Sequence, residues 1–164
     1  MRRLVRGLAL ALTVLAVAGI IGLGAVLGGL YWNRSATIAS QHTRVELQRL
    51  AAEQIPKIFG FDYQTVERSL TEAYGLLTPD YRREFEDRSN KDIIPQARDR
   101  QMVSQANVVG AGVLEAQRDS GSVMVYMNRT MTDKSRQTAY DGSRLRVDYR
   151  KVDGKWLINY IAPI

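Results

Sequence analysis

His42 is the only histidine in this 164-residue chain and there is no cysteine, so histidine–cysteine metal sites and histidine-based catalytic triads are excluded by inventory. The plain reading of His42 is a solvated side chain on a helix surface. Four carboxylates remain as candidates for acid and base: Asp62, Asp80, Glu84 and Asp148, which would act as a pair if the fold were hollow and brought them to one cavity. Two of them have a simpler explanation beside the catalytic one. Asp80 is a first-turn acid favoured by a helix dipole, and Asp148 alternates onto a charged strand face with Arg144, Arg146 and Arg150. That arginine row could meet anionic lipid headgroups or a partner protein, but a solvated strand face explains it as well. No glycine-rich phosphate loop, metal cluster or internal repeat is present, so neither cofactor nor metal is expected. Asn33-Arg34-Ser35 and Asn128-Arg129-Thr130 match the glycosylation acceptor pattern, which matters only in a eukaryotic secretory pathway. The tyrosines and Trp156 fall at strand positions where core packing is the default.

The elements that must carry these residues begin with an uncharged apolar run over residues 7–33, preceded by Arg2, Arg3 and Arg6 and ending at Tyr31 and Trp32. Such a run exceeds the ~20 residues a helix needs to cross a bilayer. Ala16-Val17-Ala18 resembles a signal-peptidase site, yet the apolar run continues well beyond it, which predicts an uncleaved signal-anchor. With the arginines on its N-terminal side, residues 1–6 become a cytoplasmic tail and everything after Asn33 becomes extracytoplasmic. Within the anchor, Ala18, Gly22, Ala25 and Gly29 share one stripe, continued by Ala11, where another membrane helix could pack closely. Gly24 and Gly28 form a second small-residue pair on another face. Of the 23 basic residues three precede the run, leaving 20 against 17 acidic ones, so the external part carries only about +3 and nucleic acid is not implied. Without disulfides this part must rely on a packed core.

Beyond the anchor, residues 34–59 read as a juxtamembrane helix with Leu47, Leu50, Ala51, Gln54, Ile55 and Ile58 on one side. Pro56 is expected to bend it or end it near Gln54. Val66, Leu70, Tyr74 and Leu77 mark a second helix. Thr78-Pro79-Asp80 starts a third, with Thr78 as N-cap, and Tyr81, Phe85, Ile93 and Ile94 face the core. Four strands follow, over residues 102–117, 122–132, 143–152 and 155–162, as an antiparallel meander. Asp119-Ser120-Gly121 closes the first pair, Asp153-Gly154 closes the last as a type I′ turn, and Gly110 and Gly112 mark a bulge or bend. Helices followed by a curved antiparallel sheet make an α+β external domain over residues 60–164.

Several segments resemble a known family. Val108-Val109-Gly110-Ala111-Gly112-Val113-Leu114, residues 123–130 ending Met127-Asn128-Arg129-Thr130, Ser143-Arg144-Leu145-Arg146-Val147 and Lys151-Val152-Asp153-Gly154-Lys155-Trp156-Leu157-Ile158 look like the strands of actinobacterial Mce-associated membrane proteins. Phe61-Asp62-Tyr63 resembles an interhelical element of the same family. The resemblance implies a cone-like domain, of the scytalone-dehydratase and nuclear-transport-factor-two type, with four strands. It implies a non-enzymatic accessory subunit of an Mce-type lipid importer, whose partners are Mce proteins, their membrane permease and membrane lipid. An assembly factor of a secretion or conjugation apparatus is the alternative, and an anchored cone-fold isomerase or dehydratase is a third reading.

Overall fold

A computed structural model describes residues 41–164. The expected anchor over residues 7–33, its stripe of Ala18, Gly22, Ala25 and Gly29, and the cytoplasmic tail lie outside the described residues. Among those described, no helix is long and apolar enough to cross a membrane. The architecture is α+β: the described residues form helices, with the short strand β1 between the first two, and a curled sheet in the order β1-β2-β3-β4-β5, with every neighbouring pair antiparallel.

Helix α1 is described over residues 41–59. Leu47, Ala51, Gln54, Ile55 and Ile58 are buried along it and Leu50 partly so, as their spacing predicts. Pro56 does not end it. The residue sits in the last turn, where its missing N–H removes one bond, and its own carbonyl accepts from the Gly60 N–H at 2.8 Å to close the helix. Two residues, Phe61–Asp62, then form β1, which pairs with Ser104 and Val103 and makes the sheet five-stranded instead of four. A two-residue strand has too few alternations to be read from sequence.

Helix α2 spans Val66–Tyr74 and helix α3 spans Pro79–Arg88. Thr78 is at the N-cap position, but its side chain makes no capping bond; its hydroxyl lies 3.4 Å from Asn159 Oδ1 while its N–H donates to the Ile158 carbonyl. A π-turn over Ser89–Ile93 joins α3 to helix α4, Ile94–Arg100. Pro95 follows this turn and has no N–H for a regular helical ladder, which favours the wider loop just before it. Gln101 closes α4 in the left-handed conformation (φ 52°), and the Met102 N–H bonds back to the Ala97 carbonyl.

Strands β2 (Val103–Ala116), β3 (Ser120–Thr132), β4 (Thr138–Val152) and β5 (Lys155–Pro163) form the meander. β4 begins five residues before its predicted start. Val123, Val125 and Met127 on β3, with Leu145, Val147 and Tyr149 on β4, turn inward against the helices. The register of β2 against β3 slips at Val109 and again at Leu114. The first bulge adjoins Gly110 as expected, whereas Gly112 is regularly paired and the second bulge contains no glycine. Asp153 and Gly154 both have positive φ (49° and 78°), as the type I′ turn requires.

Gly121 is not a turn residue. It lies inside β3, opposite Ala116 and Tyr149, where α1 crosses the sheet. A Cβ there would overlap the fully buried Leu47 side chain and come within 2.8 Å of the Glu115 carbonyl oxygen. Nearby, the Trp156 indole donates to Glu46 Oε2 at 3.0 Å, a second tie between α1 and the sheet.

Candidate functional site

A cavity of about 440 Å3 lies between the helices and the inner face of the sheet. Its apolar wall combines Ile58 and Phe59 from the end of α1, Phe61 from β1, Phe85 from α3, Met127 from β3 and Leu145 from β4. Arg88, Gln96, Arg129, Ser143 and the Tyr81 ring supply the polar groups. Burial pushes the Tyr81 hydroxyl above the usual tyrosine pKa, and the neighbouring Arg88 guanidinium opposes that rise.

The two arginines are held differently. Arg129 donates from Nη2 to Asp141 at 3.1 Å, and Asp141 also accepts from Ser143 Oγ at 2.9 Å. Its Nε is buried and has no hydrogen-bond partner among the described residues. Arg88 stands 5.3 Å over the Phe85 ring and forms no ion pair among the described residues. The N-terminal 40 residues contain no Asp or Glu that could supply one.

None of the four candidate carboxylates lines this cavity. Asp62 accepts from the Gln64 N–H at 2.9 Å in the turn after β1, Asp80 pairs with Arg83 on α3, and Glu84 is exposed. Asp148 instead lines a smaller cleft of about 190 Å3 on the sheet, accepting from Ser122 Oγ at 2.6 Å and Arg146 Nε at 2.9 Å. Glu115 and Arg150 share that cleft, so the arginine row is partly neutralised by its neighbours. The arrangement therefore brings arginines, and not carboxylates, to the large apolar cavity.

His42 is exposed on α1, and no group of three or more His, Cys, Asp or Glu side chains is placed to hold a metal among the described residues. Trp156 and Tyr149 are core residues, and burial raises the pKa of Tyr149, whose hydroxyl has no hydrogen-bond partner among the described residues. Tyr126, Tyr140 and Tyr160 depart from the packing expectation and are exposed. Tyr126 and Tyr140 take outward positions of strands that alternate only one face into the core, whereas Tyr160 follows a register shift in β5 and sets its ring edge-on to Tyr81 at 5.6 Å. The sequence does not announce Arg88 and Arg129 as residues of one cavity, because they are 41 residues apart and only the fold brings both to its wall.

No family model matches the chain. It is 27% identical over 161 residues to the outer membrane protein Rv1973 of Mycobacterium tuberculosis, covering 98% of this chain and 94% of that one. The uncharacterized protein Rv1362c of the same organism is also 27% identical, over 65% of this chain and 49% of its own length. Among solved structures, an IcmL-like type IV secretion system protein from Legionella pneumophila superposes with a TM-score of 0.63 at 12% identity, covering 74% of this chain and 93% of that one. The periplasmic domain of DotI gives 0.62 at 11% identity, covering 72% and 92%. CagV, a VirB8 homolog of Helicobacter pylori, gives 0.58 at 8% identity, covering 71% and 95%. At these identities the solved structures establish a shared fold. The chain is thus similar along nearly its whole length to a mycobacterial outer membrane protein and carries the fold of periplasmic secretion-system domains.

Proposed function

We propose that this chain is a non-enzymatic accessory subunit of a multiprotein transport complex in the cell envelope. Residues 7–33 would hold it in the inner (plasma) membrane as a single-pass anchor, with the N-terminus cytoplasmic and the α+β unit extracytoplasmic. The observation that carries this reading is the shared fold with periplasmic domains of secretion complexes, joined to a cavity that no carboxylate lines. Fold alone does not assign function, so the site must speak as well. Here it offers contacts and no acid–base pair.

For the machine served, the fold comparisons favour a secretion or conjugation apparatus, since the solved proteins are named as parts of one. The resemblance of residues 108–114 and the later strands to Mce-associated proteins, together with mycobacterial relatives, supports an Mce-type lipid importer. On that second reading the partners are Mce proteins and their permease. The relative's name places that protein in an outer membrane, whereas the anchor and its flanking arginines point here to the inner one.

Affinity purification of the full chain from native membranes tests the proposal. Co-purification of a permease with Mce proteins would support the importer, and recovery of secretion components the alternative. A solitary protein that converts a small molecule would overturn both. Gly22→Leu and Gly29→Leu should reduce recovery of partners several-fold, while Leu23→Ala and Leu27→Ala should leave it largely intact.

A further inference from the structure

We propose that the 440 Å3 cavity binds a single-chain amphiphile with an anionic head, its hydrocarbon chain against Phe59, Phe61, Met127 and Leu145 and its head at Arg88. The proposal goes beyond an accessory role and stands whichever machine the protein serves.

The volume is the first ground. Protein interiors hold few voids larger than a water molecule, whereas ligand sites occupy about 300–1,000 Å3. A space of 440 Å3 belongs to the second class. The chemistry of the wall is the second ground. Aromatic rings, Leu145 and the adaptable thioethers of Met102, Met127 and Met131 suit a flexible hydrocarbon chain, and no carboxylate is present to hold a cation.

The charges select the head. Arg129 is already neutralised by Asp141. Arg88 has no acidic partner and lies exposed on α3 at the side of the cavity, against Phe85. The side of the site therefore carries one positive charge with no ion-pair partner among the described residues. A neutral hydrocarbon would leave the Arg88 guanidinium without an acceptor, whereas an anionic head supplies one. A carboxylate or a phosphate head on one acyl chain supplies acceptor oxygens for the Arg88 guanidinium, with a chain for the apolar wall.

The test uses the full-length protein in nonionic detergent, photolabelled with a diazirine palmitate and mapped by mass spectrometry. Adducts are expected on cavity residues such as Phe59, Met127 and Leu145. Unlabelled palmitate or lysophosphatidate should compete at least tenfold better than hexadecanol, and whichever anion competes better identifies the head. Leu145→Trp, which fills the cavity, should abolish these adducts. Arg88→Gln, at an exposed position, should weaken anion competition about tenfold while circular dichroism remains unchanged, and Arg88→Lys should restore most of it. If Leu145→Trp fails to fold, the two Arg88 variants decide. Adducts confined to residues 7–33, equal competition by hexadecanol, or no effect of Arg88→Gln would each overturn the proposal.

Discussion

Gly121 shows how a residue's role can be hidden by its neighbours in sequence. Beside Asp119 and Ser120 it reads as part of a turn, but it is a flat spot in β3 over which Leu47 passes. Its φ is unexceptional, so steric closeness and not backbone freedom explains it. Gly121→Ala should therefore destabilise the fold by about 1–3 kcal/mol, the range for overpacking a tight interior. Urea denaturation of the full chain in detergent would measure this as a lowered midpoint; an unchanged midpoint would mean that α1 lifts off the sheet at no cost. The carboxylates carry the converse lesson. Asp80 was legible from sequence as a first-turn acid, because Pro79 beside it announces a helix start. Arg88 and Arg129 were not legible as residues of one cavity, since each alone looks like an ordinary surface arginine.

Elements were legible where their period is local. Leu145, Val147 and Tyr149 alternate with charged residues over a few positions, so one face of β4 could be assigned at once. The Asp153-Gly154 turn was equally plain, because positive φ at two consecutive residues admits few residue types. Gly154→Val should cost about 1–3 kcal/mol through backbone strain alone, for nothing lies within 4 Å of the position to clash. Thermal unfolding monitored by circular dichroism checks it. Gln101 is the opposite case. It holds a left-handed φ of 52° at the end of α4 with a side chain that disfavours that conformation. Gln101→Gly should raise stability by up to about 1 kcal/mol in the same assay, and a loss would show that the side chain has contacts that matter more than its strain. The second bulge of β2, at Leu114, had no glycine to announce it. Likewise β1 depends on Met102–Ser104 arriving beside it from the far end of α4.

For the whole molecule, helices first and strands afterwards were enough to give α+β, while the fifth strand and the cavity needed the sheet's actual curl. The expected topology is testable with the structure as a guide. Ser89 is fully buried, so Arg118→Cys and Ser135→Cys, at exposed positions, serve as the labelling sites. Both should react with a membrane-impermeant thiol reagent on intact cells; protection of both would place the domain in the cytoplasm. The bulges of β2 have a further consequence. β1 covers only Val103 and Ser104, leaving most of that strand as an edge, whereas the outer side of β5 is stitched at Ile158 by the main chain of Leu76 and Thr78. Edge strands recruit other chains into continuous sheets unless something disturbs their repeat. Two slips of register within six residues, at Val109 and Leu114, do this on the open side. The domain is thereby protected against fibre-like stacking when many copies are crowded together, and any lasting association must be made through side-chain surfaces instead of shared backbone ladders.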